Sequence, residues 1–191
     1  MHELVKKVNN GGFLTLEESK MVFSGIIKGE LSEAQIASIL ISMKHRTESS
    51  YEIAGAVMAL MEEMIPFNKK KNGVIDTCGT GGDGKSTVNI STAVSINLAS
   101  MGYPVIKHGN VAQSGKVGSA DILSLLKIPC KLEKYEAENF FDKHNFVFLF
   151  APFYHPALKN VAKIRKELMT PTIFNFIGPL ANPAKPDYQI I

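Results

Sequence analysis

The spacing of the apolar residues changes near residue 65, and that change constrains the fold more than any other feature of the chain. Before it, apolar side chains recur at helical spacing, with Ile36, Ile39, Leu40 and Met43 in one segment and Ile53, Val57, Leu60, Met61 and Met64 in the next. Thr15 with Glu18, and Ser32 with Gln35, stand three apart as capping boxes require. The stretch Pro66-Phe-Asn-Lys-Lys-Lys-Asn-Gly73 then mixes breakers with charge, as a hinge does. Beyond it, short apolar runs alternate with helical patterns: Val74-Ile75, a helix over 87–101, Val105-Ile106, a helix over 119–126, Phe146 to Ala151, a helix over 156–168, Thr172 to Phe174, and Tyr188 to Ile191. The pattern predicts an α/β protein, with an all-helical lobe over 1–65, a hinge over 66–73, and a mostly parallel sheet with flanking helices over 74–191.

Two glycine loops sit where such a sheet collects ligands, outside the carboxyl ends of strands. The first, Asp76-Thr-Cys-Gly-Thr-Gly-Gly-Asp-Gly-Lys-Ser-Thr87, follows Val74-Ile75 and leads into a helix. Glycine lets the backbone approach an anion closely, and unpaired N–H groups at a helix start point at it. Gly79 to Ser86 satisfies G-x-x-x-x-G-K-[ST], which admits a nucleotide triphosphatase. Such an enzyme needs a second strand ending in a magnesium-holding carboxylate, whereas Phe146 to Ala151 ends in Pro152. A second loop, Lys107-His-Gly-Asn-Val-Ala-Gln-Ser-Gly-Lys-Val-Gly-Ser119, lies between Pro104-Val-Ile106 and another helical pattern. Two such loops suit a ligand with two separated phosphate groups.

Composition sets limits without choosing a function. The 191 residues, 45% hydrophobic and 20% charged, are enough to bury a core. A net charge of +3 falls short of the basic excess usual in nucleic-acid binders. Cys78 and Cys130 lack disulfide-framework or metal spacing, and neither a signal-peptide run nor a membrane-length apolar stretch occurs. The expectation is a cytoplasmic protein with no membrane partner.

Ordered blocks then carry a resemblance: Asp76-Thr-Cys-Gly-Thr-Gly-Gly-Asp83, Asn89-Ile-Ser-Thr92, Lys107-His-Gly-Asn110, Gly118-Ser-Ala-Asp121, Phe150-Ala-Pro152 with His155-Pro156, and Thr172-Ile-Phe-Asn175 followed by Gly178-Pro-Leu180. Over essentially its whole length the chain resembles the anthranilate phosphoribosyltransferases of tryptophan biosynthesis. The resemblance implies a nucleoside phosphorylase/phosphoribosyltransferase-like fold, and transfer of a 5-phosphoribosyl group from phosphoribosyl pyrophosphate to the amine of anthranilate, with Mg2+. It places Gly79, Gly82, Asp83, Thr87, Asn89, Ile90, Ser91, Thr92, Lys107 and Ser119 at the donor, with Ser91 on the metal. Around anthranilate it places Gly79, Asn110, Ala151, Pro152, His155, Arg165 and Gly178. Arg165 suits a carboxylate through its planar fork. His108 is the catalytic candidate, orienting the amine or carrying away its proton. The family also suggests a homodimer through the helical lobe.

Two departures from the family's pattern stand out. Relatives usually carry arginine at the position of Val111 and small hydroxyl residues at Gly115 and Val117. They also continue past Ile191, through more sheet and an acidic pair for a second magnesium, so the resemblance implies an amino-terminal portion of the family's chain. Two alternatives share the architecture: pyrimidine nucleoside phosphorolysis, and a non-enzymatic relative that binds nucleic acid, which the sequence pI of about 8.8 permits.

Overall fold

The structure, a computed structural model, describes residues 1–79, 89–111 and 118–191. Among them the order is α1 (His2–Asn9), α2 (Leu16–Lys28), α3 (Glu33–Arg46), α4 (Ser50–Glu62), β1 (Ile75–Thr77), α5 (Ile90–Ser100), β2 (Val105–Gly109), α6 (Ser119–Leu125), α7 (Lys134–His144), β3 (Phe146–Phe150), α8 (Ala151–Tyr154), a short 3-10 turn (Pro156–Leu158), α9 (Lys159–Leu168), α10 (Phe174–Leu180) and β4 (Tyr188–Ile190). The chain divides into two compact units, one of residues 1–64 with 155–181, the other of 65–154 with 182–191.

In the helical unit the starts of α2 and α3 are fixed by the two capping boxes legible in the sequence, Thr15 with Glu18 and Ser32 with Gln35. A third, Ser49 with Glu52, starts α4. Gly29 ends α2 at φ +75°, the left-handed cap that glycine takes without strain. Helices α2 and α4 approach so closely that a Cβ on Gly55 would lie 2.5 Å from the Leu16 carbonyl oxygen. Glu52, fully buried in α4, accepts from the Leu14 N–H (2.9 Å), the Ser49 N–H (2.9 Å) and both terminal nitrogens of Arg46, whose guanidinium lies over the Phe13 ring. Burial would raise this carboxyl, but the Arg46 and backbone hydrogen bonds outweigh it and hold it below the usual range.

Packing groups the chain differently from its order along the sequence. The segment 155–181, which follows the first three strands in sequence, packs with residues 1–64, because Val161, Ile164, Ile173, Phe174 and Ile177 join Val22, Ile26, Ile39 and Leu60 in one apolar core. The expected strand at Thr172 to Phe174 is a helix start instead. The Thr172 N–H bonds the Asn175 side chain at 3.1 Å, and α10 follows despite Pro179 within it.

The α/β unit holds a four-stranded sheet in the order β3-β2-β1-β4, all parallel, with Ile75 opposite both Val105 and Tyr188 and Val105 opposite Phe146. One face packs Ile106, Val147 and Leu149 on Ala137 and Phe141 of α7; the other packs Val105, Phe146 and Phe148 with Ile96 of α5 and Leu123 of α6. The expected hinge is pinned within this unit. Lys69 pairs with Asp187 (2.6 Å), Lys70 with Asp142 (2.9 Å), and Lys71 caps the end of α7 through the Asp142 carbonyl and the Asn145 side chain.

Candidate functional site

The central strands β1 and β2 end side by side, each leading toward a helix start. The first of those helices, α5, begins at Asn89, whose carbonyl accepts from the Thr92 and Ala93 N–H groups. The second, α6, begins at Gly118, whose N–H is capped by the Asp121 carboxylate at 2.7 Å. Thr92 Oγ1 donates to Ser119 Oγ at 3.0 Å, so the two helix starts are in direct contact. Gly109, at the end of β2, lies tightly against its neighbour, since a Cβ there would meet the Phe148 ring at 3.0 Å and the ring would have to shift.

Lys107 is the buried cation of this cluster. Only 1% of its surface is exposed, and Nζ donates to the Thr77 carbonyl and to Ser91 Oγ (3.2 Å). Burial pushes its pKa down, while the neighbouring Asp76 and Cys78 act in the opposite sense. Thr77 Oγ1 donates to the Ser91 carbonyl at 2.7 Å and lies 2.6 Å from Ser95 Oγ, which itself donates to the same carbonyl at 2.9 Å. Ser91, Thr92, Lys107 and Ser119, each expected at the donor, thus form two hydrogen-bonded pairs, Lys107 with Ser91 and Thr92 with Ser119, that meet at the Ser91–Thr92 peptide bond. Asn89 caps the same helix, and Ile90 exposes its side chain at the first turn. Gly79, after β1, is exposed with nothing within 4 Å of a Cβ. Gly82, Asp83 and Thr87, most of the triphosphatase-like pattern, and Gly115 and Val117 lie outside the described residues.

Side chains alternate along a strand, so His108 stands on the sheet face opposite Lys107. It is 7% exposed. Asp76 shares that face with Gln189, its register partner on β4. Asp76 Oδ2 accepts from Asn182 Nδ2 and Gln189 Nε2, both at 3.0 Å, and Asn182 also donates to the Ile106 carbonyl. Burial pushes the Asp76 carboxyl up against the lowering effect of these amides and of Lys107.

Of the residues expected at anthranilate, Asn110 is half-buried with its side chain accepting from the Val111 N–H at 2.8 Å, and Ala151 and Pro152 open α8 in the α/β unit. His155, Arg165 and Gly178 belong to the helical unit. His155 is 1% exposed, its Nε2 meeting the Ala181 carbonyl at 2.9 Å, and burial drives its pKa down to about 4. That geometry makes His155 a neutral clasp between the two ends of 155–181. Arg165 lies over the Phe174 ring at 5.3 Å with its pKa lowered by burial. Val111 is exposed.

Sequence reasoning missed Thr77, Ser95 and Asn182. Ser91 and Ser95 are four apart, which puts both hydroxyls on one side of α5, and that spacing could have pointed to Ser95. Nothing local to Asn182 signals its reach to a strand 106 positions earlier.

A parallel α/β unit whose central strands lead toward two helix starts has the layout in which such sheets bind ligands outside their carboxyl ends. The chain belongs to the glycosyl transferase family: the description of that family's a/b domain matches residues 71–191, and its helical bundle domain matches residues 2–64. It is 46% identical over 182 residues to the anthranilate phosphoribosyltransferase of Idiomarina loihiensis, covering 95% of this chain and 54% of that protein. To the enzyme of the same name from Methanococcus aeolicus it is 48% identical over 188 residues, covering 98% and 57%. The crystal structure of anthranilate phosphoribosyltransferase from Thermus thermophilus superposes with a TM-score of 0.92 at 37% identity, covering 98% of this chain and 57% of that one. The Saccharomyces cerevisiae enzyme, in complex with PRPP and Mg, gives a TM-score of 0.85 at 26% identity over 95% of this chain and 55% of that one. The chain spans about half the length of the relatives it matches. Among the described residues, no helix is long and apolar enough to cross a membrane.

Proposed function

We propose that the chain carries the donor end of an anthranilate phosphoribosyltransferase, moving a 5-phosphoribosyl group from phosphoribosyl pyrophosphate to the amine of anthranilate and releasing pyrophosphate. The observation that carries the reading is the pairing of Lys107 with Ser91 and of Thr92 with Ser119, which gathers polar groups from one central strand and two helix starts onto one small area. Pyrophosphate departs with growing negative charge while the ribose anomeric carbon becomes cationic, so the main catalytic need is a preorganised set of donors at the leaving group. Ser119, whose oxygen accepts from Thr92 and so leaves its own O–H to donate, and the N–H groups of Ile90 and Ser91 at the start of α5 supply hydrogen-bond donors, and the Lys107 charge lies behind them. Gly79, Gly82, Asp83, Thr87, Asn89 and Ile90 complete the proposed donor wall.

Magnesium fits this set as a substrate-held ion. Among the described residues no three His, Cys, Asp or Glu side chains gather as metal ligands, whereas Ser91 Oγ is a hard oxygen of the type magnesium takes alongside phosphate oxygens. Once bound there, the ion neutralises charge on the leaving group. An aromatic amine is a nucleophile at neutral pH, so no strong protein base is required. His108, buried as it is, is proposed to orient rather than to exchange protons with solvent. Arg165 remains the proposed partner of the anthranilate carboxylate, and Asn110, Ala151, Pro152 and Gly178 the proposed lining. Assembly as a homodimer through the helical lobe, in the cytoplasm, belongs to the same reading.

The test is calorimetric and enzymatic. The chain should bind phosphoribosyl pyrophosphate in the presence of Mg2+ and consume anthranilate, followed by loss of its fluorescence. Ser91→Ala should weaken donor binding about tenfold, the scale of one hydrogen bond to a charged group. Absence of both binding and turnover refutes the reading.

A further inference from the structure

Arg165 and Gly178, both expected at anthranilate, stand on α9 and α10, and α2 anchors both helices. Asn160, near the start of α9, donates from Nδ2 to the Ile27 carbonyl at 2.8 Å, one of the carbonyls in the last turn of α2 that have no helical partner. One turn earlier on α2, the fully buried Phe23 meets the Phe174 ring edge to face, with centroids 5.9 Å apart and planes at 70°. Phe174 opens α10 and is only 4% exposed, so its ring is fixed by packing. The Arg165 guanidinium lies over that ring, 5.3 Å from the centroid, inside the reach of about 6 Å over which a ring face attracts a cation. Such a face holds the cation without taking up its N–H donors, whereas a protein carboxylate in the same place would neutralise the charge and compete with an anionic ligand for those donors. Burial lowers the Arg165 pKa, the mark of a charge partly stripped of water, and that desolvation strengthens its attraction to the ring.

We propose that Phe174 is a positioning residue for the acceptor: it holds the Arg165 guanidinium in place for a carboxylate, and so selects an aromatic amine that carries one. The inference rests on the reading above that Arg165 takes the anthranilate carboxylate. Its signature is discrimination rather than affinity alone, because a ring that acts through Arg165 matters only to a ligand that Arg165 holds. Residues that act through one another also show non-additive losses, whereas independent contacts add.

The experiment compares the binding of anthranilate with that of anthranilamide, whose neutral amide replaces the carboxylate, by titration calorimetry on the full 191-residue chain. Phe174→Leu keeps an apolar side chain and removes the ring, and Phe174→Met serves beside it so that one misfolded variant does not end the test. Thermal melts accompany each variant. The preference for anthranilate over anthranilamide should fall about fivefold in both, the scale of a desolvated cation–π contact, with anthranilamide affinity unmoved. Arg165→Gln should lower the preference about tenfold, and adding Phe174→Leu to it should lower it no further. A loss of stability alone would weaken both ligands together. An unchanged preference in the two Phe174 variants, or a double variant in which the separate losses multiply, overturns the proposal and leaves the Arg165 reading standing. A wild-type chain that does not bind anthranilate, or an Arg165→Gln chain that keeps the wild-type preference, overturns the Arg165 reading and the inference with it.

Discussion

Replacing Gly55 by alanine tests the close approach of α2 and α4. A Cβ at that position would stand 2.5 Å from the Leu16 carbonyl oxygen, 2.7 Å from Ser19 Cβ and 2.8 Å from the Lys20 nitrogen. Two of the three are backbone atoms, so no rotamer change relieves the overlap and α2 must move away from α4. Movement lengthens the bond from Ser19 Oγ to the Glu52 carbonyl, 2.7 Å, and that from the Leu14 N–H to the Glu52 carboxylate. Overpacking costs about 1–3 kcal/mol, each of the two loosened hydrogen bonds about 1 kcal/mol, and the better helix propensity of alanine returns about 1 kcal/mol, so the net loss should be about 3 kcal/mol. Gly25→Ala is the control. Its Cβ would meet only the flexible ends of Leu31 and Met1, which can swing aside, so the variant should be neutral or slightly stabilised. Urea denaturation followed by circular dichroism measures both. A Gly55→Ala chain as stable as the parent refutes the argument, because it would mean the helices have room for a methyl group.

Three further outcomes follow from buried groups. The His155 pKa is lowered from 6.5 to about 4, so the unfolded chain takes up the proton first and stability should fall by about 3 kcal/mol as pH drops from 6.5 to 4. His155→Gln can still donate to the Ala181 carbonyl, and urea midpoints across that range should show a flatter slope. Glu52→Ala strands Arg46 and the Leu14 and Ser49 N–H groups, and should cost about 3–5 kcal/mol in the same assay. Glu52→Gln should cost less. The Cys78 thiol is buried and pushed up to about 12, with burial as the main cause, and Cys130 is buried too. A chromogenic disulfide reagent should therefore react slowly with the native chain and with two thiols in guanidinium, and rapid native labelling would contradict the described packing.

The elements that the sequence made legible were those with local causes. Thr15 and Ser32 cap helices because the partner lies three residues on, and the parallel strands appear where short apolar runs are separated by helical patterns. The cluster of Ser91, Thr92, Lys107 and Ser119 was approached through the two glycine loops, since each loop follows a strand that the sheet places at its centre. Long-range causes stayed hidden. Nothing near Val161 or Ile164 distinguishes a helix that covers a sheet from one that completes a bundle. The Lys69-Lys-Lys71 run reads as a solvated connector, because Asp187, Asp142 and Asn145 are brought to it only by folding. His108 and Lys107 are adjacent in sequence, and the pleat of β2 sends them to opposite faces.

The return of residues 155–181 to the helical unit bears on how this protein is dissected. A fragment cut at residue 65 would keep four helices yet lose the surfaces of Val161, Ile164, Phe174 and Ile177 that close over Val22, Ile26 and Ile39. Such a piece would present a raw apolar face to water and gather into aggregates, even though its boundaries match those of a recognised module. A soluble version needs the distant segment grafted on through a designed linker, so the modular unit here is defined by contact rather than by contiguity along the gene.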